Sequence, residues 1–101
     1  MIIERNEFRL KFGKAKEAID IWTKILNELK KQKDAPRARM MTDLTGPAYT
    51  IVLEIELRSF IDIGVKNYQW MTNEAAHELY GQFIPLCDSA HRTMYNIECE
   101  I

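Results

Sequence analysis

The sequence predicts an α+β domain with elements in the order β-α-β-β-α-β, and three observations carry that expectation. Residues 2–12 and 49–57 alternate apolar and polar side chains with the period of two that marks a half-buried strand. Between them, apolar residues recur at three- and four-residue steps from Ala15 to Leu29, the spacing of a helix with one buried stripe. A Thr45-Gly46-Pro47 turn signal precedes the second alternating stretch, so that stretch and the short run before it read as a hairpin.

The first strand places Ile2, Glu4, Asn6, Phe8, Leu10 and Phe12 on one side and Ile3, Arg5, Glu7, Arg9 and Lys11 on the other. Gly13 breaks it, and the helix that follows presents Ala15, Ala18, Ile19, Trp22, Ile25, Leu26 and Leu29 to a core, running to about Lys33. Asp34-Ala35-Pro36 ends it, because the residue before a proline is pushed out of helical angles. The hairpin pairs residues 37–44 with 49–57, whose apolar face is Tyr49, Ile51, Leu53, Ile55 and Leu57. Ser59 caps a short helical turn through Phe60 and Ile63 that closes at Gly64, and residues 66–70 form a connection. A second long helix is capped by Thr72, with Glu74 in its first turn and an inner stripe of Ala76, Leu79, Tyr80, Phe83, Cys87 and Ala90. Gly81 and Pro85 predict a kink or break near residues 82–85. Residues 94–101 close the chain as a strand with Tyr95, Ile97, Cys99 and Ile101 inward.

This order is the ferredoxin-like, split βαβ arrangement: a four-stranded antiparallel sheet with two crossover helices on one face, in a single domain over residues 1–101. If the first and third strands are neighbours, Arg5, Arg9 and Lys11 share a face with Glu54 and Glu56, and opposite charges meet across strands. Glu54 and Glu56, about 7 Å apart on one strand, therefore read as a charge ladder rather than as an acid-base pair. That outer face also carries Ile3, Val52 and Met94, with either Met41 or Met40 and Leu44, a mixture that suits a partner sheet.

Composition narrows the function classes. With 47% hydrophobic and 29% charged residues the chain is an ordinary globular one, and a formal net charge of -1 points to neither nucleic acid nor an anionic membrane surface. The basic run Lys30, Lys31 and Lys33 reads as a solvated helix end. The charged opening predicts a start without a signal peptide, and no apolar run has the length of a membrane span. Cys87 and Cys99 lack CxxC spacing and read as free, inert thiols of a reducing, cytoplasmic protein.

No motif for phosphate binding or nucleophilic hydrolysis is present. His77 and His91, read on one helix, would lie about 21 Å apart, so no metal site and no metal cofactor are expected. The aromatic residues Phe8, Trp22, Tyr49, Tyr80, Phe83 and Tyr95 define a candidate ligand pocket, with Asn6 and His77 as convergent polar groups; a filled core is the competing reading.

The segments LKFGKAKEAI and LTGPAYTIVLEIELRSF, followed by a helix running into a tyrosine-containing strand, resemble the NIPSNAP-like branch of the dimeric α+β-barrel proteins. The resemblance implies a homodimer whose two sheets meet face to face as a barrel, in a family whose members mostly lack an established activity. The wider superfamily includes heme-degrading and cofactor-free monooxygenases. Heme degraders place an Asn on the first strand, a Trp after the third and a His on the second helix, and Asn6, Trp70 and His77 follow that order. With the hairpin as anchor, Ile63 stands where that Trp falls and Trp70 lies in an inserted stretch. The expectation is thus a homodimeric domain without a cofactor, in an interaction or small-hydrophobic-ligand role. The alternative is a cofactor-independent monooxygenase or isomerase acting on an aromatic substrate through His77 and Asn6, with heme degradation as a remote variant.

Overall fold

The computed structural model describes residues 1–101, with the side chains of residues 66–68 and 71 outside the description. Strand β1 (Ile2–Leu10) leads through Gly13, whose φ of 78° a side chain would strain, into helix α1 (Ala15–Lys30). The helix buries Ala18, Trp22 and Ile25 of the predicted stripe together with Ile21, which the stripe did not include, and ends at Lys30 rather than near Lys33. The hairpin of β2 (Ala38–Thr42) and β3 (Thr50–Leu57) turns at Gly46, which adopts a φ of 90°. The Thr50 amide donates to Asp43 Oδ1 at 2.9 Å, tying the turn together.

All four strands pair antiparallel in the order β2-β3-β1-β4, with β4 spanning Cys87–Asn96. The sheet is open: β2 and β4 are its two edges and do not pair with each other. The chain therefore closes no barrel, and the barrel expectation is corrected. The α+β class, the four antiparallel strands and the helices on one face stand. Ile2, Phe8, Leu10, Ile51, Leu53 and Leu57 are buried on the helix-covered side, most of them packed with residues of α1 and α3 (Glu74–Phe83) in one core.

The second half of the chain departs from the sequence expectation in three places. Residues 60–72, expected as one helical turn and a connection, form a full helix, α2 (Phe60–Thr72). Ser59 precedes it in extended conformation without a side-chain cap, and Asp62 instead accepts from the Arg58 amide at 2.9 Å. Thr72 ends α2, and Asn73 is the cap of α3, accepting from the Ala76 amide at 2.9 Å. Asn73→Ala removes that acceptor and should lower stability by about 1 kcal/mol in chemical denaturation.

The third departure matters most for function. α3 stops at Phe83, the Pro85 turn (Ile84–Leu86) follows, and the chain enters β4 at Cys87. The Lys11 amide donates to the Leu86 carbonyl at 2.8 Å, drawing this segment onto the end of β1. Ala90 and His91 are consequently strand residues, and the strand begins seven positions before the expected Met94. Register then decides faces: Met94 pairs with Glu4 on the helix side, while Tyr95 pairs with Ile3 and His91 with Glu7 on the outer side. Ile97, Cys99 and Ile101, expected inward on a strand, lie beyond it.

Candidate functional site

A cleft of about 800 Å³ opens between the sheet and the helices. Its floor is the helix-facing side of three strands: Glu4, Asn6 and Phe8 of β1, Leu53, Ile55 and Leu57 of β3, and Arg92 of β4. Trp22 and Leu26 of α1 form one wall, and Ile63, Gln69 and Trp70 of α2 with Tyr80 of α3 form the other. These side chains converge because β1 alternates with period two while α1 repeats at three and four, so Asn6, Phe8 and Trp22 all face the layer between them.

The rings make one continuous cluster. Tyr80 meets Trp22 edge-on at 5.9 Å and Trp70 edge-on at 5.5 Å between ring centroids. Burial pushes the Tyr80 phenol above its ordinary value, with the neighbouring Cys87 adding to the shift, so its hydroxyl stays protonated at neutral pH. The Cys87 thiol is pushed up to about 11, chiefly by burial, and is no nucleophile near neutrality.

The polar part of the floor is Glu4, only 9% exposed. Asn6 Nδ2 donates to Glu4 Oε2 at 3.2 Å. Arg92 Nη1 lies 4.0 Å from Glu4 Oε1, beyond hydrogen-bond reach, and its side chain is largely in solvent. Two further groups of the cleft are buried without a partner among the described residues: the Trp22 indole Nε1 and Gln69 Oε1. Unpaired buried polar atoms are uncommon in native structures, each costing about 1–3 kcal/mol.

The sequence-derived candidates separate into two sets. Asn6, Phe8, Trp22 and Tyr80 line the cleft. Phe83 instead is fully buried behind it, its ring edge-on to Phe8 at 5.0 Å. Tyr49 sits at the hairpin end of the sheet against Phe12, and Tyr95 lies on the outer face beside Arg5. His77 is exposed on α3 and packs on the Trp70 ring at 5.0 Å without lining the cleft. Of the three residues compared with heme degraders, Asn6 and Trp70 reach the cleft, and Ile63 stands there beside Trp70. His91 lies on the outer face in a shallow groove with Glu7. No group of three metal-ligating side chains occurs among the described residues.

Glu4, Gln69 and Arg92 were not anticipated as site residues. Glu4 carried a readable signal, being the one carboxylate on the inward side of an otherwise apolar-to-amide strand face. Arg92 carried none, since it fell between the end of the expected helix at His91 and the expected strand start at Met94.

No family model and no curated protein matches the chain in sequence. Its fold is nonetheless shared with solved structures. An uncharacterized NIPSNAP domain protein from Burkholderia xenovorans superposes with a TM-score of 0.86 at 14% identity, covering 100% of both chains. A NIPSNAP family protein from Agrobacterium tumefaciens gives 0.82 at 12% identity over 94% of this chain and 90% of the other. SnoaB, a cofactor-independent oxygenase from Streptomyces nogalater, gives 0.75 at 8% identity over 99% and 95%. The chain thus shares the α+β fold of these structures, an oxygenase as well as uncharacterized proteins; at these identities the likeness concerns architecture alone.

Proposed function

We propose that this chain binds a small aromatic or hydrophobic molecule in the cleft between its sheet and helices. The observation that carries this reading is the cleft itself: a space of about 800 Å³ whose lining sets apolar and aromatic side chains beside polar and charged ones, which supports a small-molecule site over a filled core. Both tryptophans of the chain, Trp22 and Trp70, line it, so intrinsic fluorescence is a direct reporter. Titration with an aromatic quencher such as naphthoquinone should give saturable quenching with one site per chain. Ala38→Trp, at an exposed position of the cleft mouth, should weaken that binding at least tenfold while shifting stability by no more than about 0.5 kcal/mol. Quenching that does not saturate, or that is indifferent to Ala38→Trp, counts against the reading.

A second reading is cofactor-independent oxygenation or isomerisation of such a molecule. Glu4 and Asn6 favour it, since a buried carboxylate beside an amide can accept a proton from a bound substrate. His77 packs behind the cleft wall on Trp70, so this reading gives the proton-accepting role to Glu4. Oxygen uptake with a dihydroxynaphthalene, lost in Glu4→Gln, is the expected signature; equal rates with and without protein remove this reading.

A homodimer belongs to the same proposal. Ile3, Met41 and Val52 are apolar residues on the outer sheet face, next to the Arg5–Glu54–Arg39 pairs, a surface suited to a second copy of the chain. Light scattering at micromolar concentration should return twice the 11.9 kDa chain mass, and a monomer there excludes the pairing. Free Cys87 and Cys99 support a reducing, cytoplasmic setting. No helix among the described residues is long and apolar enough to cross a membrane.

A further inference from the structure

We infer that the cleft selects ligands whose buried end donates a hydrogen bond, a hydroxyl or an amine, and rejects those ending in a carboxylate; this rests on the small-molecule reading above. Three polar groups belong to residues that line the cleft. Glu4 is an acceptor when ionised, and of its two oxygens only Oε2 is engaged, by the Asn6 amide at 3.2 Å. Glu4 Oε1 has Arg92 as its charged neighbour at 4.0 Å, without a hydrogen bond among the described residues. Trp22 Nε1, on a side chain only 7% exposed, is a donor and nothing else, and it has no acceptor. Gln69 Oε1 is likewise unpartnered, and like the indole nitrogen it is closed off behind the surface of the cleft.

Charge is arranged by depth. Lys30, Arg37 and Arg92 are cations of the cleft lining, but all three are exposed, so solvent and salt screen them. Glu4 is buried, where its field is weakly screened and its desolvation is offset only in part by Asn6. An anionic ligand end would meet a like charge there, whereas a hydroxyl or ammonium completes the carboxylate. Trp22, Trp70 and Tyr80 present ring faces and edges to the body of such a ligand, which an aromatic skeleton fills. A site built with buried polar groups discriminates strongly against analogues that leave those groups unpaired.

The test is calorimetric titration of the full chain near neutral pH with four probes on one skeleton: naphthol, naphthylmethylamine, methoxynaphthalene and naphthoate. Naphthol or the amine should bind at least about tenfold more tightly than methoxynaphthalene and naphthoate, as expected of a hydrogen bond to a charged acceptor. The two donors separate a neutral from a cationic preference, and either one leading supports the inference. In Glu4→Gln, an isosteric change checked for folding by circular dichroism, that preference should fall to within about threefold, because the charge is gone. Four probes of equal affinity, or naphthoate the tightest, overturn the donor preference while leaving the cleft a ligand site. An unchanged preference in folded Glu4→Gln overturns the role of Glu4. No binding by any probe overturns the small-molecule reading and this inference together.

Discussion

Phe83→Ala is expected to lower stability by about 3–5 kcal/mol, enough to unfold a large share of the chain if its total is in the usual range of about 5–15 kcal/mol. Phe83 is fully buried, with rings on three sides: Phe8 edge-on at 5.0 Å, Trp22 edge-on at 5.3 Å and Tyr80 at 6.0 Å. Truncation loses the transfer energy of the ring and leaves a void that these neighbours cannot close without giving up their own geometry. In urea the unfolding midpoint should fall by about 1 M or more, given a slope of roughly 1–3 kcal/mol/M. Because the same Phe8, Trp22 and Tyr80 line the cleft, the variant should also lose the saturable quenching proposed above at temperatures where it remains folded. A midpoint within experimental error of the parent protein contradicts the placement of Phe83 in the core.

The second large effect lies on the other side of the sheet. Glu54 is only 5% exposed, and it is held from both sides in one register row, with Arg5 on β1 and Arg39 on β2 as its partners. Arg5 donates Nε and Nη2 to Oε2 at 2.8 and 2.5 Å, and Arg39 donates Nε and Nη2 to Oε1 at 3.0 and 2.6 Å. These bonds, from Arg39 first and Arg5 next, hold the Glu54 carboxyl below its ordinary value against the opposing effect of burial. The Glu54 bond in turn raises the already high Arg5 value. Glu54→Ala should cost about 2–3 kcal/mol, below the full loss of a wholly buried pair because the Arg5 and Arg39 side chains are 45% and 60% exposed.

The pH dependence follows in sign. A carboxyl whose folded value lies below its unfolded one binds fewer protons when folded, so stability rises with pH through that window. The contribution is complete above the unfolded value of about 4.5 and is lost as pH falls through the folded value. The stability of the parent chain in chemical denaturation should therefore fall on acidification below about pH 4.5, and Glu54→Gln should show a shallower acid slope. Equal slopes would mean that other carboxylates dominate.

How much of this was legible in the sequence depended on whether an element buries a continuous apolar face. β1, α1 and the hairpin do, and Ile2, Phe8, Trp22, Ile25, Ile51 and Leu53 stand on the sides their periodicity assigned. The charge pairing of Arg5 with Glu54 was also readable, since both residues fall on the polar side of neighbouring strands. β4 was not, because an edge strand exposed along nearly its whole length needs no alternation: its helix-side residues include Ala90, Arg92, Met94 and Asn96. The turn at Pro85 then moved the strand start, which turned Tyr95 to the outer face and carried His91 off any helix. α2 was shortened in the reading because its apolar residues Phe60, Ile61 and Val65 are exposed and trace no buried stripe. The cleft followed the same divide: Asn6, Phe8, Trp22 and Tyr80, on elements read from the sequence, line it, while Arg92 and Gln69 sit on the misread segments.

One property of β1 joins the two faces of the sheet. Its even-numbered residues Glu4 and Asn6 look into the cleft, and its odd-numbered Arg5, between them, is gripped by Glu54 on the far side. A slide of one residue would exchange these roles, sending a carboxylate to solvent and an arginine into the ligand space. The ionic grip on Arg5 thus works as a ratchet pawl for the binding floor. Damage on the face remote from the cleft would then reach the cleft floor through the strand that both faces share.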